Sequence, residues 1–342
     1  MGGNVFKGKT CRLGKDQYER VSSRVVDALR TLYPQGKVFA IPSYRTKSDF
    51  GDLDVLLSDG ELRTQAQYEC LQRLTADVFG AKEWKRNGPV ISVDYRGVPL
   101  EAGKAFQVDM VKQDPRTYDY GLGYFSFNDL GNLIGRITHA LGVSHRHDGL
   151  YWYFRDGTYL FKEIELTIDY DKALQFAGLD PARFAQGFEQ LEDIFEYVAS
   201  SEFFRPEIYL LHNRNHSGRI RDRKRKTYMS FLDWCERNCP SGKEPLPEDK
   251  QVWFERIQQF FPHFEDEYRE VMRQYEQNRA AKEKLNGKLV SQLTGLTGPE
   301  LGHAMRRIRA SFVNDKAMID FVLNSSETAL RELILSQAQC SG

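Results

Sequence analysis

Two aspartates that stand two residues apart, at the start of a β-forming run, constrain this chain more than any other feature. Asp52 and Asp54 belong to the run Gly51-Asp52-Leu53-Asp54-Val55-Leu56-Leu57, and Asp109 stands in a second such run at residues 106–111. Alternate side chains of a strand project from one face, so the first two carboxylates would lie side by side. Two negative charges held side by side cost free energy unless a cation lies between them. Three carboxylates on neighbouring strands therefore predict a divalent-metal site that handles phosphates.

Composition and charge exclude some classes of protein and leave others open. The 342 residues are enough for two domains or three small ones, and 48 Lys and Arg balance 48 Asp and Glu, so net charge does not decide for or against a nucleic-acid partner. No stretch has the apolar length of a membrane span or the apolar core of a signal peptide. The odd number of five cysteines is typical of reduced thiols. We predict a soluble cytoplasmic protein with no membrane partner, and its oligomeric state stays open.

Hydrophobic spacing predicts helices over a mixed sheet in the first half of the chain, which is an α+β fold class. The predicted strands are 37–41, 52–57, 90–95, 105–111, 150–154, 159–161 and 165–168, and the strands at 90–95 and 105–111 are expected to form a hairpin. The predicted helices of this half are 15–33, 61–79 and 127–141. After about residue 170 long charged helices predominate, and they are predicted at 182–199, 220–237, 248–261, 264–284, 298–312 and 315–337.

Several ordered motifs resemble one known family. Ser43-Tyr44-Arg45, the run from Gly51 to Leu57, and Gln107-Val108-Asp109 resemble the palm of the polymerase-beta-type nucleotidyltransferase superfamily, most closely its X-family DNA polymerases. The similarity covers about residues 37–210. It continues through Tyr124-Phe125-Ser126, Asn132, Arg136, His139-Ala140-Leu141-Gly142, Asp148-Gly149-Leu150-Tyr151, Asp193-Ile194-Phe195-Glu196-Tyr197 and Arg205-Pro206-Glu207.

The resemblance implies a domain order and an activity. A nucleotidyltransferase palm would occupy residues 1–120, a thumb-like subdomain 121–210, and an all-α domain that binds nucleic acid 211–342. The activity would be addition of nucleotides from an NTP or dNTP to a nucleic-acid 3′-hydroxyl, with release of pyrophosphate. Two Mg²⁺ ions would be the cofactor, and Mn²⁺ would substitute for them. Because only about 36 residues precede the segment that resembles the palm, the lyase and fingers domains of X-family repair polymerases are expected to be absent.

The same resemblance assigns roles to single residues. Asp52 and Asp54 would bind both metals, and Asp109 would hold the catalytic metal and favour deprotonation of the 3′-hydroxyl. The residues implied to bind the nucleotide are Ser43, Arg45 and Gly51 for the triphosphate, Tyr124 and Phe125 for the sugar, and Asn132 and Arg136 for the base and template side.

Two segments of the second half predict contacts to a nucleic-acid backbone. A basic run could hold phosphates, although a solvated helix start explains it equally well; its members are Arg219, Arg221, Arg223, Lys224, Arg225 and Lys226. Residues 286–302 resemble the helical region of tRNA CCA-adding enzymes and poly(A) polymerases. Their Gly-rich turn, Gly295–Gly298, opens a helix that carries Arg306 and Arg307, and free N–H groups there would favour a phosphate.

Other interpretations of the sequence stay open. The protein could transfer a nucleotide to a protein or a small molecule, or it could be a nucleic-acid-binding protein with a degenerate, inactive palm. DNA and RNA are both possible acceptors, with or without a template. Two pairs spaced i, i+4 could meet at a zinc ion, although a charged helix boundary explains them better; these are His212 with His216 and Cys235 with Cys239.

Overall fold

The structure is a computed structural model, and it describes residues 5–58, 65–97, 100, 103–239 and 244–339. The chain divides into two compact units. The first comprises Met1–Tyr153 and Glu165–Phe261, and the second comprises Phe154–Ile164 and Pro262–Gly342.

A mixed five-stranded sheet is the centre of the first unit. Its strands lie in the order β2-β4-β7-β6-β5, with β4 and β7 parallel and the other neighbours antiparallel. The described strands are β1 (Leu13–Gly14), β2 (Lys37–Ala40), β3 (Asp49–Phe50), β4 (Asp52–Ser58), β5 (Trp84–Asn87), β6 (Val90–Tyr95), β7 (Phe106–Lys112), β8 (Ser144–Arg146), β9 (Gly149–Asp156) and β10 (Tyr159–Thr167). Two smaller sheets pair β1 with β3 and place β9 between β8 and β10.

The sheet buries one face under the first helix, α1 (Lys15–Leu32). Val21, Val25 and Leu29 recur on one side of α1 and are almost fully buried in the core of this unit. Leu53 and Val55 of β4 belong to the same core. Because side chains alternate along a strand, Asp52 and Asp54 face the side opposite to Leu53 and Val55.

The remaining helices of the first unit are mostly short. They are α2 (Gln65–Phe79), α3 (Tyr118–Phe125), α4 (Leu130–Ala140), α5 (Tyr170–Phe176), α6 (Pro181–Ala185), α7 (Leu191–Ala199), α8 (His216–Arg223), α9 (Lys226–Asn238) and α10 (Lys250–Phe260), with single 3₁₀ turns at Pro115–Thr117, Pro206–Tyr209 and Leu211–Asn213. Side-chain caps fix several of their starts: Asp169 accepts from two N–H groups of the first turn of α5, and Asn215 accepts from the N–H group of Gly218 in α8.

The second unit consists of helices and the tip of the β9–β10 hairpin. Its helices are α11 (Phe264–Lys284), α12 (Gly287–Thr294), α13 (Gly298–Ala310), α14 (Asp315–Asn324) and α15 (Glu327–Gln339). Val290, Ile308 and Ile334 are buried at the centre of its core. The helices thus bury a common apolar interior, as amphipathic helices of a small bundle do.

The predicted fold class is confirmed at a coarse level: the chain is mixed α/β, with a mixed sheet and a C-terminal helical region. The bounds of α11 match the prediction, and the predicted hairpin of β6 and β7 is present. Residues 61–64 of the helix predicted at 61–79 lie outside the described residues. The domain limits predicted at residues 120 and 210 stay predictions.

Some predicted helices are divided in the structure. The helix predicted at 315–337 is broken into α14 and α15 at Ser325-Ser326, and the one at 220–237 into α8 and α9 at Lys224-Arg225. The helix predicted at 182–199 is interrupted before Gln190, whose capping box with Asp193 starts α7. No described helix combines the length and the apolar character that crossing a membrane requires.

Candidate metal centre

Strand register brings the three acidic residues together. Asp54 of β4 is the direct partner of Asp109 of β7, and Asp52 is paired with Gln107 in the same parallel ladder. One carboxylate oxygen from each of Asp52, Asp54 and Asp109 lies within 4.8 Å of the other two. Among the described residues this is the one group of three or more His, Cys, Asp or Glu side chains that approach so closely.

Burial and mutual repulsion make the charged state of this cluster costly. Burial raises the pKa of Asp54 to about 8, with further contributions from the charges of Asp52 and Asp109. The pKa of Asp109 rises to about 6, chiefly through burial, although hydrogen bonds from Ser92 and Gln107 oppose the shift. A cation at this point would favour the charged carboxylates and remove the penalty.

One oxygen of Asp109 has no hydrogen-bond partner in the part of the chain that the structure describes. Gln107 Nε2 donates to Asp109 Oδ2 at 2.8 Å, and Gln107 Oε1 in turn accepts from the N–H of Val5 at 2.9 Å. Asp109 is only 9% exposed, and its Oδ1 is buried without a hydrogen bond among the described residues. Buried polar atoms are normally satisfied, so this oxygen is a candidate ligand position. Oxygen donors of this kind suit Mg²⁺ and Mn²⁺.

The acidic cluster opens into a cavity of about 330 Å³. Asp52 and Asp54 line it together with Ser43, Lys47 and Phe125. The cavity therefore offers a hydroxyl, a cation and an aromatic ring next to the acids, as a site for a charged, partly apolar ligand requires.

Lys47 is the most informative residue of the cavity that sequence reasoning missed. Burial lowers the pKa of its ammonium group, whereas Asp52 and Asp54 raise it. Its Nζ lies 4.7 Å from the centre of the Phe50 ring, against which Tyr18 stacks at 3.8 Å. The only available signal was its position in the polar loop before Gly51, and that loop contains other charged residues.

The residues predicted to bind the triphosphate have different surroundings. Ser43 lines the cavity. The Arg45 guanidinium donates to the carbonyl of Gln186 and pairs with Glu189 at 3.4 Å, and the Arg45 N–H donates to the carbonyl of Phe188. Gly51 is a buried bend between β3 and β4. Ser43 is thus beside the acids, while Arg45 holds the loop that precedes α7.

The residues predicted to contact sugar and base also have different surroundings. Phe125 lines the cavity and stacks against His147, with ring centres 5.8 Å apart. Tyr124 packs edge-on against His145 at 4.9 Å. Asn132 and Arg136 lie on α4. The Asn132 amide nitrogen is buried without a partner among the described residues. Arg136 is 7% exposed, and its guanidinium donates to the carbonyl of Ile208 at 3.0 Å. Arg136 therefore ties α4 to the turn at Pro206–Tyr209.

The predicted basic run reaches the rim of the cavity at Arg225. Asp129 and Thr227 line the cavity, and Arg225 forms an ion pair with Asp129. Four further members of the run are exposed: Arg221, Arg223, Lys224 and Lys226. Arg219 is half-buried and donates to the carbonyl of Arg214. A surface rich in positive charge therefore adjoins the acidic cavity within the first unit.

The predicted features of the second unit have structural roles. Gly295 ends α12 with φ +74°, and Gly298 begins α13 with φ +53°, a backbone region that favours glycine. Arg307 donates to the carbonyl of Gln337 at 2.8 Å, whereas Arg306 is exposed.

The four residues considered for zinc are not assembled into a site. His212 and His216 are exposed, whereas Cys235 is 5% exposed. Among the described residues, these histidines do not form a cluster of metal-ligating groups with Cys235 and Cys239.

No protein-family model matches this chain, and no curated protein matches it at a significant level.

Proposed function

We propose that this protein is a metal-dependent nucleotidyltransferase with a polymerase-beta-type palm. It would add nucleotides from an NTP or dNTP to a nucleic-acid 3′-hydroxyl and release pyrophosphate. The observation that carries the proposal is the convergence of three carboxylates on paired parallel strands, within 4.8 Å of one another, where one oxygen, Asp109 Oδ1, has no hydrogen-bond partner among the described residues. Phosphoryl transfer depends on positioning and charge neutralisation, and this arrangement is suited to both.

The residues present fit a divalent metal ion. Asp52, Asp54 and Asp109 would hold two Mg²⁺ ions, or Mn²⁺ in their place, through oxygen ligands only. When bound, the ions would activate the attacking hydroxyl and neutralise the charge that develops on the leaving pyrophosphate. Lys47 and Ser43, which line the same cavity, are the groups proposed to contact the triphosphate.

The protein's own groups can also handle the proton. Asp109 Oδ1 is the candidate acceptor for the proton of the attacking 3′-hydroxyl, because Oδ2 already accepts a hydrogen bond from Gln107. The 3′-oxygen of the acceptor then attacks the α-phosphorus of the nucleotide, and the bond between the α-phosphorus and the leaving pyrophosphate breaks. Phe125 provides an apolar wall in the cavity, against which we place the sugar of the incoming nucleotide.

The basic rim favours a nucleic-acid acceptor over a protein or a small molecule. Arg223 and Lys224 are exposed next to Arg225, whose partner Asp129 lines the cavity. A polyanion crossing this rim would release counterions, so its affinity should fall steeply with salt.

The proposal is tested by incubating the full chain with Mg²⁺ and each labelled NTP or dNTP on single-stranded and primed DNA and RNA, and by measuring the product ladder. Asp109→Ala should reduce incorporation by at least about 100-fold, since loss of even an outer-shell partner of a metal ligand typically costs about 10- to 100-fold. Asp233→Ala, at an exposed position of α9, is the matched control.

The other outcomes separate the alternatives. Full activity of folded Asp109→Ala contradicts the assignment of the site. Label on a protein without primer extension favours a protein-modifying nucleotidyltransferase, and failure to bind any nucleoside triphosphate with Mg²⁺ favours a degenerate palm.

A further inference from the structure

A second cavity, of about 550 Å³, lies wholly within the second unit. The tip of the β9–β10 hairpin forms one wall and α11 forms the other. Tyr159 and Phe161 line it from the hairpin, and Tyr275 lines it from the helix. Its volume falls in the range of small-ligand sites, about 300–1,000 Å³.

One aromatic ring of the cavity, that of Tyr159, is exposed. Tyr275 packs edge-on against Phe161, with ring centres 5.4 Å apart, and against Phe154 at 5.0 Å. These rings support one another. Tyr159, by contrast, is 63% exposed, beside the turn at Gly157. An exposed ring on a hairpin beside a cavity is a platform on which a planar group can stack.

Most polar groups of the cavity lie on α11, and two carboxylates, Asp156 of the hairpin and Glu283 of α11, are also part of its lining. Tyr275, Asn278, Arg279 and Lys282 are spaced i, i+3, i+4 and i+7, so they share a face of the helix. Arg279 is paired with Glu283 at 3.3 Å. Lys282 is exposed and makes no ion pair within the described part of this unit, so its charge is available to an anion.

We propose that this cavity binds an unpaired base of single-stranded nucleic acid, with the base stacked on Tyr159 and an adjacent phosphate at Lys282. Stacking requires a base whose face is free, and a duplex hides that face. The inference rests on the proposed function in one respect, because it takes the acceptor to be a nucleic acid. It adds that the acceptor strand is single-stranded where it contacts the second unit.

The test measures binding of the full chain to fluorescently labelled 20-nucleotide single strands and matching duplexes by anisotropy. Tyr159→Ala should weaken binding of the single strand by about 10-fold, in line with the contribution of one base–aromatic stack. Tyr159→Phe keeps the ring and should bind like the wild type. Lys282→Ala should weaken binding and lower its salt dependence, whereas Lys316→Ala, at an exposed position of α14, should change neither.

Failure of this inference and failure of the proposed function are distinguishable. Unchanged single-strand affinity in Tyr159→Ala overturns the inference even if nucleotide transfer is observed. Equal loss for single strand and duplex also overturns it. Conversely, Asp109→Ala should abolish transfer and leave single-strand binding intact. If Tyr159→Ala instead changes the oligomeric state measured by light scattering, the cavity is an interface between copies of the chain and the inference is wrong.

Discussion

Asp54 and Asp109 are directly paired across the parallel strands β4 and β7, so the backbone register itself holds two carboxylates together. Gln107 precedes Asp109 by two residues on the same face of β7 and orients it through Oδ2. A slip of one residue in this register would place Asp109 on the opposite face, among the core residues. The site therefore depends on the apolar residues that fix the register as much as on the acids.

Divalent metal should stabilise the folded protein. A ligand that binds only the native state at a hundred-fold excess over its dissociation constant adds about 2.7 kcal/mol to the free energy of unfolding. Saturating Mg²⁺ or Mn²⁺ should therefore raise the Tm of the wild type by several degrees. Asp109→Asn should lose most of this increase, whereas Asp233→Asn should retain it; an equal increase in both variants would exclude the acids as the binding site.

Without metal, stability should fall as pH rises. The folded-state pKa values of Asp54 and Asp109, about 8 and about 6, lie above the ordinary aspartate value of about 3.9. At pH values between the unfolded-state pKa and the folded-state pKa of each aspartate, the native state binds more protons than the unfolded state. The free energy of unfolding therefore decreases as pH rises, and it levels off above about pH 8. Thermal unfolding in EDTA at pH 5.5, 7 and 8.5 should show this decrease.

The matched variant for that experiment is Asp54→Asn, which removes one titrating group from the cluster. Its stability should decrease less between pH 5.5 and 8.5 than that of the wild type, and at pH 8.5 it should be the more stable protein. The same dependence on pH in both proteins would show that Asp54 does not carry the effect.

Loss of Lys47 should change the KM for the nucleotide, whereas loss of Arg45 should change thermal stability. Lys47 lines the cavity, and hydrogen bonds to charged groups contribute about 1.5–3 kcal/mol, so Lys47→Ala should raise the KM for the nucleotide by about 10- to 100-fold with little change in Tm. Arg45→Ala removes contacts to Gln186 and Glu189 and should act mainly on thermal stability. Steady-state kinetics and thermal unfolding of both variants check this; a larger KM effect in Arg45→Ala would reverse the assignment.

The strands that carry the acids were predictable because their sequence alternates. Leu53 and Val55 alternate with Asp52 and Asp54, which fixes both the strand and the face of the carboxylates. α11 was equally predictable, since its charged and apolar residues repeat with helical spacing over 21 residues.

Other parts depend on contacts that sequence does not show. The partners of Arg45 lie more than 140 residues further along the chain, in a loop with no local signal for that contact. Arg136 fits a nucleic-acid contact by its charge, yet its guanidinium donates a hydrogen bond to the carbonyl of Ile208. The helix α3 was missed because it contains two glycines, Gly121 and Gly123, which are unfavourable in isolated helices and here allow close packing against Gln113 and Tyr170.

Two glycines of α4 should respond in opposite ways to the same substitution. A Cβ at Gly131 would lie 2.2 Å from the backbone oxygen of Tyr124, which immediately precedes Phe125 of the cavity wall. Gly131→Ala must therefore displace the α3–α4 corner, and it should lower the free energy of unfolding by about 1–3 kcal/mol and reduce nucleotide transfer. A Cβ at Gly135 would meet only His145 Cβ at 3.9 Å, an ordinary contact, so Gly135→Ala should stabilise the helix by about 0.5–1 kcal/mol. Denaturant unfolding of both variants measures the difference, and a destabilised Gly135→Ala would show that α4 tolerates no added side chain at either position.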